Sequence, residues 1–129
     1  MKVGKSGAVE PIILIYGRDH TLLDTRKMLL QKTGLKVLIA TELAQTYQLL
    51  ADRRPDLLVL CHTVPCDEAT LLLEHMTFPG SGPNIIILTS YGKGCSVIPG
   101  GVAVDTRDGP KALLTSVRKI LGLENYAVQ

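Results

Sequence analysis

Four short runs of apolar residues limit what this chain can fold into: Ile12-Ile13-Leu14-Ile15-Tyr16, Val37-Leu38-Ile39-Ala40, Leu57-Leu58-Val59-Leu60 and Ile85-Ile86-Ile87-Leu88. Each is too short for a helix, rich in branched side chains, and apolar at every position rather than at every second one. A strand with one wet face alternates, whereas a strand covered on both faces does not. Val102-Ala103-Val104 is a shorter candidate of the same kind. Between the runs lie segments with helical spacing. Leu22, Leu23, Met28, Leu29 and Leu30 recur before Gly34, and Leu43, Tyr47, Leu50 and Ala51 recur before Pro55. Asp67 to His75 carries Asp67 and Glu68 where a helix N-terminus favours acids, and Lys111 to Leu121 is amphipathic with Gly122 as its stop.

Strands covered on both faces, alternating with helices, give a parallel sheet between two helical layers. Five such units in one small domain predict a flavodoxin-like, doubly wound α/β fold with strand order 2-1-3-4-5. Residues 12–122 form the predicted domain, with 1–11 a polar leader and 123–129 a tail. In this arrangement ligands bind beyond the carboxyl ends of strands one and three. Here those ends are Gly17-Arg18-Asp19 and Cys61-His62.

Composition narrows the function. A length of 129 residues, 46% hydrophobic, supports one core without staples. A net charge of +2 with no basic cluster argues against nucleic acid. No run approaches the ~20 apolar residues of a membrane span, and an odd count of three cysteines fits reduced thiols in a cytoplasm. "GKS" at 4–6 lacks the first glycine and the preceding strand of a phosphate loop. "RDHTLL" is not a cobalamin signature, and Gly17 to Leu23 offers only Thr21 as a flavin phosphate contact, so no cofactor is expected. A zinc site from Cys61, His62, Cys66 and Cys95 would need adjacent side chains leaving a strand in different directions. No metal is expected.

The stretches "IILIYGRDHTLLDTRKMLLQKTG", "RRPDLLVLCHTVP", "NIIILTSYG" and "ALLTSVRKILG" resemble the receiver domain of bacterial two-component response regulators over about Ile12 to Gly122. The resemblance implies a site of five parts: an acidic pair for magnesium after strand one, a phosphoacceptor aspartate after strand three, a hydroxyl after strand four, and a lysine and an aromatic at strand five. In this chain they fall on Gly17 and Arg18, Cys61, Thr89, near Thr106, and near Ala103. Only Thr89 keeps the pattern. Asp19 stands one step beyond the pair, and Arg18 puts a permanent cation where a metal would sit, free to pair with Asp19 or Asp105. The chain therefore resembles a degenerate receiver, or pseudo-receiver, that has lost ordinary phosphorylation. The stretch "KGCSVIPGG" opposes a helix, so helix four is expected to be shortened or missing.

The expected function is a stand-alone phosphorelay signalling module, not an enzyme, acting through a protein partner, with homodimerisation as a further option. Candidate docking surfaces are helix one, Leu22 to Leu30, and the last helix around Leu113 and Val117. Two alternatives stand beside it. One is a redox sensor at Cys61, its pKa lowered by Arg18, with Cys66 or Cys95 as resolving thiol. The other is phosphoacceptance at a non-standard residue.

Overall fold

The computed structural model describes residues 11–75, 83–90 and 101–122. Each expected strand forms. β1 (Ile12–Tyr16), β2 (Lys36–Ala40), β3 (Leu57–Leu60), β4 (Asn84–Thr89) and β5 (Gly101–Asp105) make one sheet in the order β2-β1-β3-β4-β5. All four pairings are parallel, with Ile13 opposite both Val37 and Leu57, and Leu58 opposite Ile85. The helices among the described residues are α1 (His20–Gln31), α2 (Leu43–Arg53), α3 (Cys66–His75) and α4 (Pro110–Ile120), with a 3₁₀ turn at Thr106–Asp108. Sequence periodicity misses their ends by one or two residues, as fraying ends allow.

The period of two along each strand divides the core. Ile13, Ile15, Leu57, Val59, Cys61, Ile86, Leu88 and Val104 face one way, where Leu23 and Leu30 of α1 and Leu113 and Val117 of α4 cover them. Leu14, Tyr16, Leu58, Leu60 and Ile87 face the other way, towards Ala69 and Leu72 of α3 and the partly buried Leu43, Tyr47 and Leu50 of α2. This two-sided burial is the reason the runs are uniformly apolar. It also corrects one expectation. Leu113 and Val117 are buried against the sheet and offer nothing to a partner, and on α1 only Met28 is a large, freely exposed apolar side chain.

Local chemistry sets the ends of the elements nearest the sheet's carboxyl edge. Asp19 is the N-cap of α1, its Oδ1 accepting from the Leu22 amide at 3.1 Å. Pro110 opens α4 at a first-turn position where its missing N–H costs nothing. The residues expected to carry a shortened or missing fourth helix, and the leader and tail at 1–10 and 123–129, lie outside the described residues. Among the described residues no helix is long and apolar enough to cross a membrane.

Candidate functional site

The carboxyl edge of the sheet brings the sequence-predicted positions together. Gly17 leaves β1 with its amide donating to the Ala40 carbonyl at 3.1 Å, and the Cys61 amide donates to the Tyr16 carbonyl at 2.9 Å. The chain ends of β1 and β3 are therefore held side by side. They are held so closely that a Cβ on Gly17 would lie 2.9 Å from Cys61 Cβ, 3.0 Å from its Sγ and 3.2 Å from Thr63 Oγ1. Thr63 closes the same gap from the other side, its Oγ1 accepting from the Arg18 amide at 2.9 Å. Between Gly17 and Cys61 there is no room for a second side chain.

Arg18 turns away from the cysteine. Its Nη2 donates to both carboxylate oxygens of Glu68, in the first turn of α3, and the buried Tyr16 hydroxyl donates to Glu68 Oε1 at 2.7 Å. The expected pairing of Arg18 with Asp19 or Asp105 is not formed. Asp19 caps α1, and Asp105 is taken by Arg107 at 2.8 Å. The Tyr16 hydroxyl first, and the Arg18 guanidinium with it, hold the Glu68 carboxyl below its ordinary value. Burial, and then the bond to Glu68, push the Tyr16 phenol up. Tyr16 and Glu68 belong to this cluster, yet the sequence marked Tyr16 only as the end of a strand and Glu68 only as a complement to a helix N-terminus.

Glu68 binds a proton less readily in the folded chain than in an unfolded one. Its contribution to stability is thus complete at neutral pH and is lost as the pH falls through the carboxylate range towards its lowered value. Both ends of the ion pair are partly exposed, so the effect is small. In Glu68→Gln, urea midpoints measured from neutral to acid pH are expected to fall less steeply than in the parent. Asp105, held low by Arg107, keeps its own share of the acid dependence. Superimposable profiles would mean that the cluster contributes nothing.

Cys61 is a core residue. It is 4% exposed, free, and packed in the apolar cluster beneath α1 and α4. Burial pushes its thiol above the ordinary value, and this outweighs an opposing guanidinium. That guanidinium belongs to Arg26 of α1, not to Arg18 as expected. Arg26 was legible only as one polar residue in an amphipathic helix. The resolving-thiol scheme also changes, because Cys66 takes part in a disulfide and Cys95 lies outside the described residues. The expectation of uniformly reduced thiols therefore fails at Cys66. No cluster of three or more metal-ligating side chains is found among the described residues. Thr89 ends β4 half-buried, and Thr106 begins the 3₁₀ turn beyond β5, with the Asp105 carboxylate accepting from the Arg107 amide beside it.

No model of a protein family matches the chain, nor does any curated protein sequence. Solved structures do. The signal receiver domain assigned to a LuxO repressor protein of Vibrio parahaemolyticus superposes with a TM-score of 0.75 at 18% identity, over 88% of this chain and 92% of that one. A response regulator receiver protein from Burkholderia phymatum gives 0.74 at 16% identity, over 88% and 97%. A CheY-like receiver domain protein from Methanospirillum hungatei gives 0.73 at 25% identity, over 92% and 99%. With its parallel sheet in the order 2-1-3-4-5 and helices on both faces, the chain superposes on these structures over most of its length and has the fold of response regulator receiver domains.

Proposed function

We propose that this chain is a receiver-like module of two-component signalling that works without phosphorylation, by contact with a protein partner in the cytoplasm, and that it catalyses no reaction. The observation that carries the reading is the filled cleft. The position matching the phosphoacceptor is a buried thiol, and the positions matching the acidic pair are a glycine with no space for a side chain and an arginine paired with Glu68. Magnesium needs oxygen ligands, but Asp19, one step beyond the pair, is engaged as a helix cap and Glu68 is engaged by Arg18 and Tyr16. A thiol is also a different acceptor from the carboxylate that aspartyl-phosphate chemistry uses.

The likeness to receiver domains supports a signalling role, and the charge, spread without a basic face, supports a protein partner over nucleic acid. The redox alternative is weakened by the burial and raised pKa of Cys61, since the thiolate is the reactive form. Residual phosphoacceptance elsewhere would need a metal site that these side chains do not supply. Incubation of the full chain with acetyl phosphate and magnesium, read by intact mass, is expected to leave the mass unchanged. A covalent adduct of one phosphoryl group, mapped to any side chain of this edge, would overturn the reading.

A further inference from the structure

Cys66 differs from Cys61 in the two properties that govern thiol chemistry, access and bonding. Cys61 is buried and free, whereas Cys66 is exposed and takes part in a disulfide. Since Cys61 is free, the second sulfur lies outside the described residues. Cys66 opens α3, and the first turn of that helix also carries Glu68, which ties it to Arg18 and to the Tyr16 hydroxyl. The disulfide is thus a second tether on the turn that holds the charged cluster.

In a reducing cytoplasm lasting structural disulfides are rare, and those that form are transient, catalytic or redox-sensing. An exposed disulfide is open to attack by a thiolate, and exposed bonds are the labile ones. On reduction the Cys66 sulfur leaves at the N-terminus of a ten-residue helix. The positive end of the helix dipole stabilises a thiolate there and speeds its departure. Asp67 in the same turn works against this, Glu68 less so because Arg18 neutralises it.

We propose that the disulfide at Cys66 is a reversible redox switch, opened by a small thiol such as glutathione, and that its opening loosens the first turn of α3. A glutathione thiolate attacks the partner sulfur, and Cys66 leaves as a thiolate and takes up a proton. A second glutathione thiolate attacks the glutathione sulfur of this mixed disulfide, and the partner sulfur leaves in turn. Two glutathione molecules become one glutathione disulfide, and the protein gains two electrons and two protons. The start of α3 is then held by Glu68 and by the Ala69 amide donating to the Pro65 carbonyl at 3.1 Å. The inference takes only the reducing compartment from the signalling reading, since the switch needs no phosphoryl chemistry.

The test equilibrates the full chain in mixtures of reduced and oxidised glutathione, from oxidising ones to those matching a reducing cytosol. After an acid quench and alkylation, peptide mapping reads the state of Cys66. Cys66 is expected to pass from disulfide to alkylated thiol within that range, and back when the oxidising mixture is restored. Hydrogen exchange at the Ala69 amide is expected to be at least about tenfold faster in the reduced chain. Cys66→Ser is expected to exchange as fast as the reduced parent in every mixture. A disulfide at Cys66 in every mixture would make the bond purely structural, and a thiol in every mixture would mean that the bond does not form. An Ala69 amide indifferent to the redox state would mean that nothing is switched. Each of these results overturns the proposal. If Cys66→Ser does not fold, the two redox states of the parent decide alone. A phosphoryl adduct in the acetyl phosphate experiment would overturn the signalling reading and leave these outcomes as they are.

Discussion

Replacing Gly17 by aspartate, the residue type a receiver carries at this position, is expected to destabilise the fold by about 3 kcal/mol, on the order of a 10 °C fall in Tm. Two effects combine. The added Cβ meets Cys61 Cβ at 2.9 Å, a contact with the stem of a buried residue rather than with the tip of a flexible one. Overpacking of this kind costs about 1–3 kcal/mol. A carboxylate then enters a buried position where the adjacent cation, Arg18, is already engaged by Glu68. Gly17→Ala isolates the first effect and is expected to cost less than Gly17→Asp. Adding Cys61→Ala relieves the contact with Sγ but leaves the one with Cβ, so a double-mutant cycle should recover only part of the loss. Urea denaturation of the parent, Gly17→Ala, Gly17→Asp, Cys61→Ala and the double variant of Gly17→Asp with Cys61→Ala checks this, and a stable Gly17→Asp would mean that the edge is looser than described.

On the proposed reading, this outcome bears on what it would take to build phosphoryl chemistry at this edge. A carboxylate at Gly17 alone has no space, an aspartate at Arg18 alone would leave Glu68 without its cation, and a carboxylate at Cys61 alone would enter an apolar cluster. Each single change is expected to cost stability before the next can make use of it. The substitutions fit one another as a set, which is what a packed interior demands.

The fold was legible in the sequence because polar residues stand only at the ends of the strands, as Lys36, Asn84 and Asp105 do, and leave their middles uniformly apolar. Leu57 to Leu60 is buried on both faces, and its pattern shows no period of two to confuse it with a half-wet strand. The positions Gly17, Cys61 and Thr89 were legible for the same reason, as the residues that end those runs. The partners of the charged side chains were not. Arg18 was expected to turn towards Asp19, Asp105 or the cysteine, and it reaches Glu68 fifty positions away instead. Arg26 has the spacing of an ordinary helix residue, yet its guanidinium enters the core beside Cys61. Long side chains choose partners by tertiary proximity, which sequence spacing does not encode. Leu113 and Val117 were rightly placed on the apolar stripe of the last helix, but the sheet itself occupies that stripe. Membership of Cys66 in a disulfide depends likewise on what folding brings to it.

On the proposed reading, the position matching a receiver's phosphoacceptor is part of the hydrophobic core. Reaction of Cys61 with a small maleimide tests this most directly, with the label located by peptide mapping and its rate compared between native and denaturing solution. A thiol 4% exposed can react only when the fold opens. Global opening leaves a fraction of about one in a thousand or fewer available. The account predicts labelling of Cys61 in the native chain slower by at least about a thousandfold than in denaturant. A native rate within about tenfold of the denatured one would contradict it, because an open Cys61 would be an accessible site and no longer a core residue.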